Sequence, residues 1–176
     1  SLRHFNARAL YFQRSVKDEI IFNTSSIYQN LDKQDDHGFE LEARFKTGAW
    51  SFSGNYTYST GKVTTPVNGK DSTFYDLYRR PKNVGNLSAG FQTTPSLFLS
   101  LSMHAMGKRI EAIYGAAPST FDAYAYYTLD GYIEYKIVKQ LKAFVDLKNL
   151  TNQLYFDIPG YNSFRFNFMA GISLHL

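Results

Sequence analysis

Apolar and polar residues alternate with a period of two through most of this chain, in separated runs. The closing stretch "FRFNFMAGISLHL" (164–176) is apolar at every even position, with Arg165, Asn167, Ser173 and His175 among the odd ones. "GFELEARFK" (38–46) sets Phe39, Leu41, Ala43 and Phe45 against Glu40, Glu42, Arg44 and Lys46. "AWSFSGNYTYS" (49–59) does the same with Trp50, Phe52, Tyr56 and Tyr58. Further runs cover 2–14, 19–29, 83–93, 97–107, 123–136 and 141–156, nine in all. Period two predicts strands, and most of these runs reach the ~9–11 residues that a tilted strand needs to cross a bilayer.

The connections alternate in length. Short turns are predicted at 14–18, 46–48, 93–96 and 138–140, and longer loops at 30–37, 60–82, 108–122 and 157–162. Short turns on one rim and longer loops on the other is the layout of an antiparallel transmembrane β-barrel, with the short turns periplasmic. A soluble sandwich or lipocalin-like barrel is the rival, but its strands run nearer five or six residues. The row Glu40, Glu42, Arg44 and Lys46 suits a wet lumen, though a sandwich's outer face would also take it.

Nine is an odd number, and single bacterial chains close with an even one. The expectation is therefore an all-β piece: nine C-terminal strands of a larger barrel over residues 1–176, with further strands supplied from outside this sequence. The start "SLRHFNARALYF" has no basic segment followed by an apolar run, which fits an internal or processed piece.

Composition narrows the class. Aromatics make up 17% of the 176 residues, with 14 Tyr, 15 Phe and one Trp, while mean hydropathy is only −0.33. No apolar run approaches a membrane-spanning helix. Rich in aromatic residues yet polar on average is what strands with one lipid face and one wet face produce. With no Cys there is neither a disulfide framework nor a thiolate metal site. The net charge of +4 is scattered, which argues against nucleic-acid binding. No nucleophile elbow, zinc-protease helix or phosphate loop appears, so no enzyme activity and no cofactor is expected.

Several stretches resemble the C-terminal half of TonB-dependent outer-membrane receptors. "LYFQRSVKDEIIF" (10–22) resembles a strand, a tight turn and a strand. "GFELEARFK" resembles a recurrent Gly-x-Glu strand, and "LYRRPKNVGNLSAGF" (77–91) the start of a descending strand. The most specific match is "FVDLKNLTNQLYFDIPGYNSFRFNFMAGISLHL" (144–176), where Asn149, Leu150, Thr151, Asn152, Tyr155, Gly160, Tyr161 and Arg165 follow the family's closing motif in order. The departures are "NSFR" where Pro-Gly-Arg is usual, and Leu176 in place of a final Phe.

The resemblance implies a 22-stranded barrel in the bacterial outer membrane, with an N-terminal plug outside this sequence and energy delivered through TonB. These nine strands would be the fourteenth to the twenty-second. The implied function is uptake of a scarce, large nutrient. "LYRRPKN", "GKRIE" and "IPGYN" resemble the vitamin B12 branch, making cobalamin the first expectation, with ferric siderophores or haem next. A passive porin or structural barrel is the alternative. Expected partners are the remaining strands and plug, the TonB complex, lipopolysaccharide and outer-membrane lipid, and the nutrient.

Candidate ligand contacts fall in two loops: Phe74, Tyr75, Tyr78 and Arg79, with Arg80 beside them, and Arg109, Tyr114, Phe121 and Tyr126. Aromatic rings stack on a ligand, and guanidinium groups grip carboxylates or phosphates. The plainer readings are contact with lipopolysaccharide phosphates or lumen acids for the arginines and a membrane-boundary girdle for the aromatics. Asp32, Asp35 and Asp36 form a carboxylate cluster that calcium would suit, although the spacing is not that of an EF-hand. Trp50, Phe45, Tyr11 and Phe12 are expected at the periplasmic girdle, and His4, His104 and His175 on the lumen-facing pattern.

Overall fold

The structure is a computed structural model that describes residues 4–22, 27–67, 70–75, 79–113 and 119–175, with the side chains of 19, 21–22, 29–32, 65–67, 71, 74–75, 112–113 and 119 excepted. In chain order the strands are β1 (His4–Phe22), β2 (Tyr28–Thr47), β3 (Trp50–Val67), β4 (Lys70–Tyr75), β5 (Asn83–Gln92), β6 (Leu97–Met106), β7 (Arg109–Ile113), β8 (Ser119–Ala123), β9 (Tyr126–Val138), β10 (Leu141–Lys148) and β11 (Asn167–Leu174). One sheet runs β1-β2-β3-β5-β6-β9-β10-β11, with β4 paired to the upper part of β3; β7 and β8 form a separate hairpin. Every pairing is antiparallel. The sheet is open: β1 and β11 do not pair with each other among the described residues.

Register carries one apolar face across all eight strands of the path. Ala7 pairs with Ala43, Ala43 with Gly54, Gly54 with Leu87, Leu87 with Met103, and Met103 with Leu129. Across β9, β10 and β11, Ile133 pairs with Val145 and Val145 with Ala170. Directly paired residues lie on the same face of a sheet, so the alternation read from sequence survives register by register. These side chains are not a core: Leu87 is 58% exposed, Phe168 67% and Ile172 73%. An apolar sheet face this wide and this exposed is a face built for lipid.

Aromatic rows bound that face. Near the short turns, Trp50 lies 4.4 Å from Phe91 and 5.7 Å from Phe52, ring centre to ring centre. Eight residues higher on β3, Tyr58 stacks on Phe39 at 5.5 Å, and Phe39 pairs with Tyr11. The two rows are about 26 Å apart along the strand, which strand tilt reduces to about 20 Å of height, close to the ~25 Å apolar band of a barrel between its girdles. The opposite face carries Arg8, Glu42, Ser88, Ser102, Asp130 and Lys148 and faces the lumen. Large rings there lie over glycine: Phe98 over Gly90, and Phe144 over Gly171.

The sheet has nine strands, but the set differs from the one expected. Residues 14–18 do not turn, and residues 30–37 are not a loop. Arg14 pairs with Asp36, Ser15 with Asp35 and Val16 with Gln34, so β1 and β2 run straight on past the upper aromatic row. Although "RSVKD" holds Ser15 and Asp18, both turn-favouring, and Asp18 takes a φ of +57°, pairing resumes beyond it at Glu19 and Leu31, and the half-exposed Arg14 guanidinium is met across the strand by Asp36. The expected segment 2–14 and the first part of 19–29 thus share β1, the latter run passing through 23–26, outside the described residues, to the start of β2 at Tyr28; eight strands form the path of the sheet, and β4 supplies the ninth.

Tyr11 therefore belongs to the upper girdle rather than the periplasmic one. Phe12 turns inward over Gly38. Trp50 and Phe45 stand at the lower row, stacked through Phe52. The last hairpin also differs: β10 stops at Lys148 and β11 begins at Asn167, so the alternation in 149–156 and 164–166 continues without strand pairing.

This two-faced register makes a sharp prediction on β6. In the full-length protein, Leu101→Lys places an ammonium against lipid at mid-height and is expected to cost roughly 2–4 kcal/mol. Ser102→Lys, one residue on, enters the wet face and is expected to leave the folded fraction unchanged. Heat-modifiable gel mobility reads both, and equal losses would contradict the assignment of faces.

Candidate functional site

Three connections stand on the same rim: 68–82 between β3 and β5, of which 70–75 pair back onto β3 as β4, 107–125 between β6 and β9, and 149–166 between β10 and β11. The second folds into the β7–β8 hairpin. In "RIE" the period of two puts Arg109 and Glu111 on one face of β7, opposite Ala123 and Phe121 of β8. That face is buried: Glu111 is 0% exposed, Ala123 1% and Arg109 6%.

A buried carboxylate is costly unless paired. Here Arg109 Nε donates to Glu111 Oε1 at 2.5 Å, and Arg79 lies 3.5 Å from Glu111 Oε2, an oxygen with no hydrogen-bond partner among the described residues. Arg109 also donates to the Phe156 carbonyl at 2.8 Å and sits over the Phe156 ring. Arg79, at a φ of +61°, gives its backbone N–H to the Ile110 carbonyl at 2.8 Å. Tyr126 stacks on Tyr155 at 4.4 Å and donates its hydroxyl to Asp157 at 2.6 Å, while Phe121 meets Phe156 at 6.0 Å. One polar knot thus ties all three connections together at the mouth.

A second carboxylate organises the inward face nearer β1. Asp36 accepts from Arg14 at 3.0 and 2.6 Å and from Arg80 at 2.9 Å. The hydrogen bonds from Arg14, with the charge of Arg80 behind them, hold the Asp36 carboxyl below its usual range against the opposing effect of burial. Asp35, next along the strand, points to the outward face and pairs with Lys33 at 2.9 Å. Adjacent strand residues face opposite ways, so Asp35 and Asp36 do not converge on a common ion, and each already has a cation. The side chain of Asp32 lies outside the described residues. Lower on the wet face, Arg8 pairs with Glu42, Lys142 with Glu134, and Lys148 with both Asp130 and Asp146. His104 bonds Asn86 at 2.7 Å.

The closing motif is structural. Asn149 is 3% exposed at a φ of +52°. Its side-chain oxygen accepts from Thr151 and from the Gln153 N–H, and its amide nitrogen donates to the carbonyls of Gln153 and Phe164. Its backbone N–H goes to Asp130, the Leu150 N–H goes to the Leu129 carbonyl, and Asn152, also at a φ of +52°, accepts from the Phe166 N–H. Asn tolerates this left-handed backbone better than most residues, which explains its two appearances here. The Ser163 hydroxyl donates to the Tyr155 carbonyl, drawing the two arms of the connection together, and the Arg165 carbonyl accepts from Asn167.

Of the expected ligand contacts, the structure gathers Arg79, Arg109, Phe121 and Tyr126 into one cluster. Arg109 and Tyr126, at 6% and 9% exposure, spend their polar groups on the loops themselves. Arg79 and Arg80 stay about half exposed, with side chains at 51% and 47%. Tyr78 and Tyr114, and the side chains of Phe74 and Tyr75, lie outside the described residues. Glu111, Phe156 and Asp157 were not anticipated. The "RIE" alternation was the available signal for Glu111; nothing local marks the other two.

A family model described as "TonB dependent receptor-like, beta-barrel" matches residues 2–150. A probable TonB-dependent siderophore receptor PiuA of Acinetobacter baumannii is 25% identical over 162 residues, covering 87% of this chain and 21% of its own. Among solved structures, the ferric-catecholate import receptor Fiu of E. coli K12 superposes with a TM-score of 0.77 at 19% identity, over 98% of this chain and 25% of that one. The ferripyoverdine receptor of the Pseudomonas aeruginosa outer membrane gives 0.75 at 17%, over 97% and 25%. The chain spans about a fifth to a quarter of the length of these relatives. Their names speak of iron chelates, and cobalamin as the first expectation finds no support in them.

Proposed function

The chain belongs to the TonB-dependent receptor β-barrel family and sits in the bacterial outer membrane, and from that premise we propose that it forms the closing wall and part of the mouth of a receptor that imports a ferric siderophore. The observation that carries this reading is the agreement of the relatives named above, which match over nearly the whole chain and whose names refer to siderophores or ferric chelates. The mouth suits such a ligand. The Arg79 guanidinium stands half exposed beside Glu111 in the aromatic cluster and that of Arg80 half exposed on Asp36, charges that a negatively charged chelate would meet together with the ring faces. The plug and the contact with TonB belong to the rest of the receptor.

The test is binding by the full-length receptor in detergent, by intrinsic fluorescence, across ferric catecholates, ferric hydroxamates, ferripyoverdine, haem and cobalamin. Saturable binding of one ferric chelate class is expected, and Arg80→Ala should weaken it about tenfold, the worth of one charge-assisted hydrogen bond. Binding of cobalamin or haem in preference to every ferric chelate would overturn the proposal.

A further inference from the structure

The lumen face of the sheet is charged on both flanks and uncharged between them. On β2, Glu40, Glu42, Arg44 and Lys46 share that face; on β9 and β10, Asp130, Glu134, Lys142 and Lys148 do. Between the flanks, the inward positions of β3 from 51 to 59, of β5 from 84 to 92 and of β6 from 98 to 106 carry no carboxylate, ammonium or guanidinium group. Ser53 pairs with Ser88 and Ser88 with Ser102; in the row above, Asn55 pairs with Asn86 and Asn86 with His104. From β2 to β9 is four strand spacings, so the uncharged band is roughly 19 Å wide.

Band and flank differ in what they ask of the lumen. The band already bonds within the sheet: Ser102 donates to Ser88 at 3.0 Å, His104 meets Asn86 at 2.7 Å, and Ser51 donates to the Gly90 carbonyl at 3.4 Å. On β2, by contrast, the side chains of Glu40, Arg44 and Lys46 have no hydrogen-bond or ion-pair partner among the described residues. A charge-assisted hydrogen bond is roughly twice as strong as a neutral one. Large outer-membrane transport barrels hold a plug in the lumen; such a plug is gripped by unpaired charges and lies loosely on hydroxyls that have bonds of their own. The band also stands under the mouth: β5 begins at Asn83, just after Arg80, and the Tyr126 ring of the mouth cluster lies 6.1 Å from that of His104.

We propose that in the energised receptor the plug parts from the wall at β3, β5 and β6, and that the chelate crosses along this uncharged band. No carboxylate there repels an anionic chelate, and no guanidinium or ammonium detains it; passage needs binding weak enough to leave. The flank at β2 keeps its hold on the plug while the band is open. This inference rests on the uptake reading above and adds which wall the chelate follows.

The experiment compares two positions at one height in the full-length receptor: Ser102 in the band and Asn6, which lies in the same row beside Arg44. The chelate is the ferric catecholate, ferric hydroxamate or ferripyoverdine that the wild type binds in detergent. In cells, a negatively charged methanethiosulfonate should label Ser102→Cys about tenfold faster when that chelate and the proton-motive force are both present, as the exposed state passes from minor to major. Asn6→Cys should label at an unchanged rate. Ser88→Asp with Ser102→Asp sets two carboxylates on the band and should slow uptake of the chelate roughly tenfold with its Kd unchanged. Ser88→Asn with Ser102→Asn, and Asn6→Asp, should transport normally. Heat-modifiable mobility verifies that each variant is folded. With chelate binding intact, Ser102→Cys labelling indifferent to energy, equal quickening at Asn6→Cys, or unimpaired uptake by the double Asp variant would overturn the choice of wall alone. Binding of no ferric chelate would overturn the uptake reading and this inference with it.

Discussion

Glu111→Ala is expected to release the mouth while leaving the barrel strands paired. The substitution strands Arg109, whose side chain is 3% exposed, without its carboxylate partner. Breaking one member of a buried ion pair costs roughly 3–5 kcal/mol. That cost falls on the β7–β8 hairpin and on residues 149–157, because Arg109 is also what holds the Phe156 carbonyl. Amide exchange in 107–113 and 149–157 should quicken roughly a hundred- to thousandfold, with β5 and β6 unchanged. Arg109→Met combined with Glu111→Leu should recover much of the protection, since an apolar pair of similar volume carries no buried charge. Unchanged exchange in Glu111→Ala would show that the knot does not hold the loops.

The second large effect is expected at Asn149. Asn149→Ala removes four side-chain hydrogen bonds and forces a residue with less tolerance for a φ of +52° into the left-handed region. The four bonds are part-buried, so each is worth about 0.5–1.5 kcal/mol net, and a total of roughly 2–6 kcal/mol is expected. Asn149→Gly should be milder by about 0.5–1 kcal/mol, because glycine takes this backbone freely. The loss lands on the last hairpin, whose irregular upper half this residue organises. In cells the folded, heat-modifiable fraction of the receptor should fall markedly for the alanine variant and less for glycine. Equal loss would remove the backbone contribution, and no loss in either would contradict the structural role.

The faces of the sheet were legible in the sequence because strand periodicity survives translation into register. Leu87, Met103 and Leu129 alternate with polar residues in three separate runs, and pairing puts them side by side. The first hairpin is not legible locally. "RSVKD" and "LDKQDDH" carry the acids and bases that solvated loops carry, and only the partner strand shows that Arg14 and Asp36 neutralise each other. The closing motif was visible as a string of residues, but its physical content, two left-handed asparagines folding a connection back on itself, is a matter of backbone angles that spacing does not reveal. The mouth was half legible. Arg109, Phe121 and Tyr126 stood out by residue type, yet Arg109 and Tyr126 proved buried because their partners Phe156 and Asp157 are more than 30 positions away.

Energised uptake of a ferric chelate tests the central claim most directly. Cells carrying the full-length receptor as their only route for the chelate would be given it labelled with radioactive iron. Accumulation is then followed with and without a protonophore. Saturable accumulation that stops when the proton-motive force collapses is the expected result. Accumulation that rises linearly with concentration and continues without the proton-motive force would contradict it, and would identify the barrel as a passive pore.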